Sequence, residues 1–178
     1  MAEKIIMVEG KRRRQRVEVF ALGEDNTILT SLKGPGIFPE LPGGGVDDSD
    51  SFINAAMREL AEEAGWVAKD YSVMAVSGDW VFKGSDDPWF NKDGWNEEEN
   101  IAVVCNVIAF HPDEQYGSEK DHHVFNLIPI NELIKQTNLS INKDMSRRKS
   151  LTALHRLAVL KELLSNELCK DKPSCLKW

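Results

Sequence analysis

The stretch that decides the reading is "LPGGGVDDSDSFINAAMRELAEEAGW", Leu41 to Trp66. Three consecutive glycines, Gly43 to Gly45, lead through an aspartate-rich segment into a segment from about Ser51 to Ala64 with helical patterning. Asp48 to Ser51 offers N-cap side chains, and Gly65 stands where a left-handed C-cap residue belongs. Glu59, Glu62 and Glu63 fall at i, i+3 and i+4, so they share one face of that helix. Phe52, Ala55, Ala56, Leu60 and Ala64 form an apolar stripe able to pack on a sheet. Three carboxylates in one patch repel one another in water, and a bound divalent cation inverts that balance. Hard ions such as Mg²⁺ take oxygen ligands. Glycines upstream let backbone carbonyls approach the same ion, and Arg58 can hold a neighbouring carboxylate in place. "RELAEEA" alone fits an ordinary solvated helix face; the glycine run upstream and Gly65 at the end favour the metal reading.

Working outward, "RVEVFAL" alternates Val17, Val19 and Ala21 against Arg16, Glu18 and Phe20, which predicts a strand with two usable faces. "GEDN" reads as a turn and "TILTSL" as its partner strand, giving a hairpin from Arg16 to Leu32. "KGPGIFPELPGGG" reads as loop or short strand. After the helix, "YSVMAVSGDWVF" and "NIAVVCNVIAF" are strand-like, joined by a long polar loop that carries Trp89, Trp95 and Glu97 to Glu99. "HPDEQYGSEKDHH" reads as another loop, "VFNLIPI" as a short strand with Pro129 near its end, and "NELIKQT" as a short helix. A final helix is expected over about 143–170, with Leu151, Leu154, Leu157, Leu160, Leu164 and Leu168 as its stripe. The order predicts an α/β or α+β fold with a mixed sheet. Strict βαβ alternation is absent, which argues against a doubly wound parallel sheet.

At 178 residues the chain suits a single domain spanning 1–178. A net charge of -7 argues against a stable nucleic-acid partner. No apolar run approaches the ~18 residues needed to span a bilayer, so no membrane partner is expected. Cys105, Cys169 and Cys175 show no metal-site spacing, and a reduced, cytoplasmic setting is expected. The basic run Lys11 to Arg16, "KRRRQR", is read as a solvated turn ahead of the first strand. The other readings of this run are a localisation signal or a phosphate-contacting patch, for which Arg14 is the candidate.

Gly44, Arg58, Glu59, Leu60, Glu62, Glu63, Gly65 and Trp66 stand at the spacing G-x5-E-x7-R-E-U-x-E-E-x-G-U, where U is bulky and apolar. By these residues the chain resembles the Nudix hydrolase family, with Asp50 where the family has Glu. The resemblance implies a Nudix-type α/β/α sandwich around a mixed sheet, with the box at 44–66 and a C-terminal helix. It implies Mg²⁺, replaceable by Mn²⁺, held by Glu59, Glu62, Glu63 and the carbonyl of Gly43 or Gly44, with Arg58 orienting a glutamate. Asp50 would pair with Arg58, more loosely for being one methylene shorter. The implied reaction is hydrolysis of a pyrophosphate bond in a nucleoside diphosphate linked to another group, the substrate being a small nucleotide. Candidates for the general base are Glu59, Glu114, Glu119 and Glu97 to Glu99, with His122 and His123 as possible aids. Trp89 and Trp95 are candidates for stacking on a base. The sub-signatures of individual Nudix activities are missing, so the substrate is not legible. The alternative is a non-catalytic nucleotide-sensing or regulatory module of the same fold. A homodimer through the last helix or an edge strand is a further expectation.

Overall fold

The computed structural model describes residues 4–32, 37–83, 96–111, 124–141 and 146–170. Ten elements follow in order: β1 (Ile5–Val8), β2 (Lys11–Leu22), β3 (Thr27–Thr30), α1 (Phe52–Ala64), β4 (Trp66–Met74), β5 (Val81–Lys83), β6 (Glu97–Phe110), β7 (Asn126–Pro129), α2 (Ile130–Ser140) and α3 (Arg147–Lys170). The strands form one mixed sheet in the order β4-β6-β2-β3-β7, with β1 added to β2 and β5 to β6. Only β2 and β6 run parallel among these pairs, in register from Arg13 opposite Glu97 to Leu22 opposite Asn106.

The alternation in "RVEVFAL" is used on both faces. Val17, Val19 and Ala21 of β2, with Val103 and Cys105 of β6, pack against Ala55, Ala56 and Leu60 of α1. Phe20 of β2, with Ala102 and Val104 of β6, packs against Leu133 of α2 and Val159, Leu160 and Leu163 of α3. Helices therefore cover both faces of the sheet, the sandwich that the sequence implied. Burying these apolar faces contributes roughly 25 cal/mol per Å² removed from water.

Several local expectations are corrected. "KRRRQR" is not a turn: the turn is Glu9–Gly10, both at positive φ, and the basic run opens β2. Glu97 to Glu99 are not in a loop but begin β6, directly opposite that run. Register explains both: Lys11 and Arg13 bridge to Glu97 at 3.2 and 2.8 Å, so charges that look like solvated surface in one dimension are cross-strand pairs in three. The strand predicted from Tyr71 begins at Trp66, stops at Met74, and resumes as β5 beyond Gly78 at φ 141. The leucine stripe of α3 also differs. Leu157 and Leu160 are buried, but Leu154 is 52% exposed, and Val159 and Leu163 complete the buried face. Repeated steps of three fall short of a 3.6-residue turn, so the stripe drifts around the helix. Gly65 is the left-handed cap expected, at φ 66, and Ser51 is the N-cap, its hydroxyl accepting from Asn54 N–H at 3.1 Å.

Candidate active site

The glycine segment lies along β2 in the gap between β1 and β3. Val19 N–H donates to Pro42 O (2.8 Å), Val17 N–H to Gly44 O (2.9 Å), and Val46 N–H to Gln15 O (3.0 Å). Glycine is required here by close approach rather than by a turn. A Cβ on Gly43 would fall on the backbone carbonyl oxygen of Val17, and one on Gly44 on the carboxylate of Glu59. Caps at both ends fix the rotation of α1, and its charged face meets this segment.

Glu59 is buried, and its Oε1 accepts from Arg58 Nη1 at 2.6 Å. Burial pushes the Glu59 carboxyl above its ordinary range; the charge and hydrogen bond of Arg58 oppose this, and the neighbouring Glu62 reinforces it. The same Nη1 lies 3.4 Å from Glu62 Oε2, while Nη2 donates to Gly45 O at 3.0 Å. Arg58 thus ties two carboxylates to the glycine segment. Asp47 and Asp50 each stand 3.7 Å from its guanidinium. Glu63 Oε2 accepts the Gly43 N–H at 2.9 Å, and Arg16 Nη2 donates to the Gly43 carbonyl at 3.0 Å. The Gly43 residue is therefore gripped at both ends, by an acid and by a base.

Among the described residues, no three acidic, histidine or cysteine side chains converge tightly enough to hold a metal ion as they stand. Glu59 and Glu62 meet Arg58, and Glu63 meets a backbone N–H. The donor chemistry nevertheless suits a hard divalent ion. The set is all oxygen, carboxylates from one helix turn beside the glycine segment, and Gly44 leaves Glu59 flush against the backbone. Of the two carbonyls proposed, that of Gly44 already accepts a sheet hydrogen bond, whereas that of Gly43 meets only a side chain among the contacts seen.

On the α3 side of Gly43 opens a cavity of about 350 Å³, lined among others by Arg16, Glu18, Phe38, Glu98, Arg148 and Arg156. Two ion pairs that the sequence did not disclose frame it. Arg148 grips Glu98 through two hydrogen bonds of 2.8 Å. Arg156 pairs with Glu18, donates to Pro39 O at 2.6 Å, and lies 4.5 Å from the centre of the Phe38 ring. Of the three strand glutamates weighed as a base, Glu98 shares this cavity with Gly43; Glu97 is held by Lys11 and Arg13, and Glu99 accepts from Gln15 at 3.1 Å. Arg14 lies 3.6 Å from Glu98, while Arg16, two residues on, reaches the glycine segment. Glu114, Glu119, His122, His123, Trp89 and Trp95 lie outside the described residues.

A NUDIX domain model matches residues 12–150, a span containing the box, both of its flanking sheet partners and the start of α3. The chain belongs to the Nudix family. The chain is 32% identical over 75 residues to an RNA pyrophosphohydrolase of Aeromonas hydrophila, a match covering 42% of this chain and 43% of that protein. The matched region therefore spans less than half of that relative. Among solved structures, a Nudix hydrolase from Nitrosomonas europaea superposes with a TM-score of 0.51 at 15% identity, covering 81% of this chain and 90% of the other. A UDP-X diphosphatase gives 0.48 at 16% identity, over 85% and 64% of the two chains. Likeness at such identity concerns the fold. The Nudix box thus carries one departure from the family pattern, Asp50 for Glu.

Proposed function

We propose that this Nudix protein, acting as a single domain over residues 1–178, is a divalent-cation-dependent pyrophosphohydrolase that cleaves a nucleoside diphosphate linked to another group. The observation that carries the reading is that one turn of α1 sets Glu59 against Gly44 and Glu63 on the Gly43 N–H, with Glu62 beside them at Arg58. Glu59, Glu62, Glu63 and the Gly43 carbonyl would hold Mg²⁺ or Mn²⁺. When bound, the cation neutralises charge on the bridging phosphates and lowers the pKa of a water that attacks phosphorus.

The protein's own groups supply the rest. Arg58 would hold Glu59 and Glu62 beside the glycine segment, from where they turn to the cation on binding. Arg16, at the cavity rim, is placed to leave the Gly43 carbonyl and meet a phosphate oxygen. Glu59, Glu98, Glu114 and Glu119 are the candidates for accepting the proton of the attacking water. Trp89 and Trp95 remain candidates for stacking on the substrate, and Arg14 for a phosphate contact.

The test is a phosphate-release screen with Mg²⁺ or Mn²⁺ over nucleoside triphosphates, dinucleotides and nucleotide sugars. We expect metal-dependent turnover that Glu62→Gln and Glu63→Gln each reduce by on the order of 10²-fold or more, several kcal/mol of barrier. Full activity in both variants would refute the metal site. Silence across the panel, with nucleotide binding still visible by calorimetry, would favour a sensor instead.

A further inference from the structure

The basic run that opens β2 divides between the two faces of the sheet. Lys11 and Arg13 meet Glu97, and Gln15 meets Glu99, so the odd positions are answered by the facing strand. The even positions are answered less fully. Arg14, 3.6 Å from Glu98, shares that carboxylate with Arg148. Arg16 stands opposite Asn100 and donates to the Gly43 carbonyl.

The cavity beside Gly43 takes up the surplus. Arg16, Arg148, Lys149 and Arg156 line it against Glu18, Glu40 and Glu98. Glu18 is paired with Arg156, and Glu98 with both Arg148 and Arg14. Among the described residues, neither Arg16 nor Lys149 forms an ion pair. Lys149 is exposed on the first turn of α3 and Arg16 is half-buried on β2, so solvent and ligands reach both. Two such cations in one cavity favour an anion, and phosphate oxygens accept charge-assisted hydrogen bonds from Arg and Lys alike. Gly43 fixes where that anion belongs in the substrate. Glu63 of α1 holds its N–H and Arg16 its carbonyl, so a single residue separates the carboxylates of α1 from the cavity. At about 350 Å³ the cavity falls in the ~300–1,000 Å³ range of small-molecule sites.

We propose that Arg16 and Lys149 form a subsite for a phosphate beyond the diphosphate being cleaved, which selects nucleoside triphosphates over nucleoside diphosphates joined to an uncharged sugar. The assignment rests on the pyrophosphohydrolase reading. A third phosphate meets both cations, whereas a sugar in the same place offers only hydroxyls and leaves their charge unmatched.

Two matched pairs set a third phosphate against a sugar: UTP against UDP-glucose, and ATP against ADP-ribose. kcat/KM with Mg²⁺ compares them where they turn over, and calorimetry with Mg²⁺ where they do not. We expect the triphosphate to be favoured about tenfold or more in both pairs. In Lys149→Gln that ratio should fall towards one, with folding checked by circular dichroism. Lys149→Arg should keep it, and so should Lys161→Gln, which removes an exposed charge further along α3. A ratio near one in both pairs, or one that Lys149→Gln leaves unchanged, would overturn the subsite while leaving the hydrolase reading intact. An equal fall in Lys161→Gln would assign the preference to net charge and overturn it likewise. A preference in calorimetry that Lys149→Gln abolishes, without hydrolysis of any nucleotide, would uphold the subsite and overturn the hydrolase.

Discussion

The two faces of the central sheet use charge in opposite ways. On the α1 face, Glu59, Glu62 and Glu63 crowd within five residues of one helix, and Arg58 beside them cannot neutralise all three. On the α3 face, buried Glu18 pairs with buried Arg156, and buried Glu98 with the partly exposed Arg148 through two hydrogen bonds. One face carries an excess of negative charge that a ligand can relieve; the other has settled its buried carboxylates internally. On the proposed reading the first arrangement serves chemistry at some cost in stability, and the second holds a helix against the sheet.

The sharpest way to break this contrast is to remove one partner of a settled pair. Arg156→Met leaves the Glu18 carboxylate buried and uncompensated, and we expect a loss of about 3–5 kcal/mol in urea unfolding. The double variant Glu18→Met with Arg156→Met should recover most of it, since an apolar pair of similar volume is often neutral. A small loss in the single variant would show that the α3 face tolerates unmatched charge as the α1 face does.

The glycine segment joins the two faces, and its residues separate stability from chemistry. In Gly43→Ala the new methyl meets the backbone of Val17, which cannot move cheaply; we expect a loss of roughly 1–3 kcal/mol. In Gly44→Ala it meets the far end of Glu59, a flexible side chain, so stability should change by about 0.5 kcal/mol or less. Displacing Glu59 should nonetheless cost turnover, as much as ~10²-fold for a misplacement near 1 Å. Thermal melts and kcat/KM on the two variants read the difference. Equal effects of the two substitutions on both quantities would contradict it.

The α1 site was legible because its chemistry is local. Glu59, Glu62 and Glu63 are neighbours in sequence and on the helix, the caps Ser51 and Gly65 are standard residue choices, and the glycines lie immediately upstream. The alternation of β2 likewise gave both faces of the sheet. The α3 side was not legible, because its pairs join residues 138 and 50 positions apart, and no periodicity encodes which strand glutamate meets which helix arginine. A signal was present in retrospect: Glu18 stands between Val17 and Val19 in a strand destined for the core, and Arg156 interrupts the leucine-rich helix. The basic run failed for the same reason. Its partners, Glu97 and Glu98, lie 84 residues on, so each cluster alone looked like solvated surface.

His155 extends the contrast to pH. It is buried on α3 with the Trp80 ring tilted at 51° and centred 5.2 Å away, and its Nδ1 has no hydrogen-bond partner among the described residues. Burial holds the imidazole below its usual pKa; Glu18 opposes that shift and Arg156 adds to it. The unfolded chain therefore binds the proton more readily. The contribution of neutral His155 is fully present above the unfolded pKa of about 6.5 and shrinks as pH falls through it towards the lower folded value. We expect Tm to fall by a few degrees between about pH 7.5 and pH 5.5, and His155→Gln to flatten that part of the slope. An unchanged slope in His155→Gln would assign the acid sensitivity to other groups.

The smallest effect concerns Asp50, where this chain departs from the family pattern. Among the described residues the buried Arg58 Nε has no hydrogen bond, and the Asp50 carboxylate stands 3.7 Å from it, beyond bonding reach. One more methylene would let a glutamate close that gap. Asp50→Glu should therefore add up to about 1 kcal/mol of stability, the scale of a partly exposed ion pair. It should also keep or raise kcat/KM, because a firmer Arg58 holds Glu59 and Glu62 more steadily. The gain should shrink in high salt, since the groups involved are not fully buried. A lost rate in Asp50→Glu would mean that Arg58 must stay loosely held for turnover, so that the charge left unsettled on the α1 face includes the cation as well as the three carboxylates.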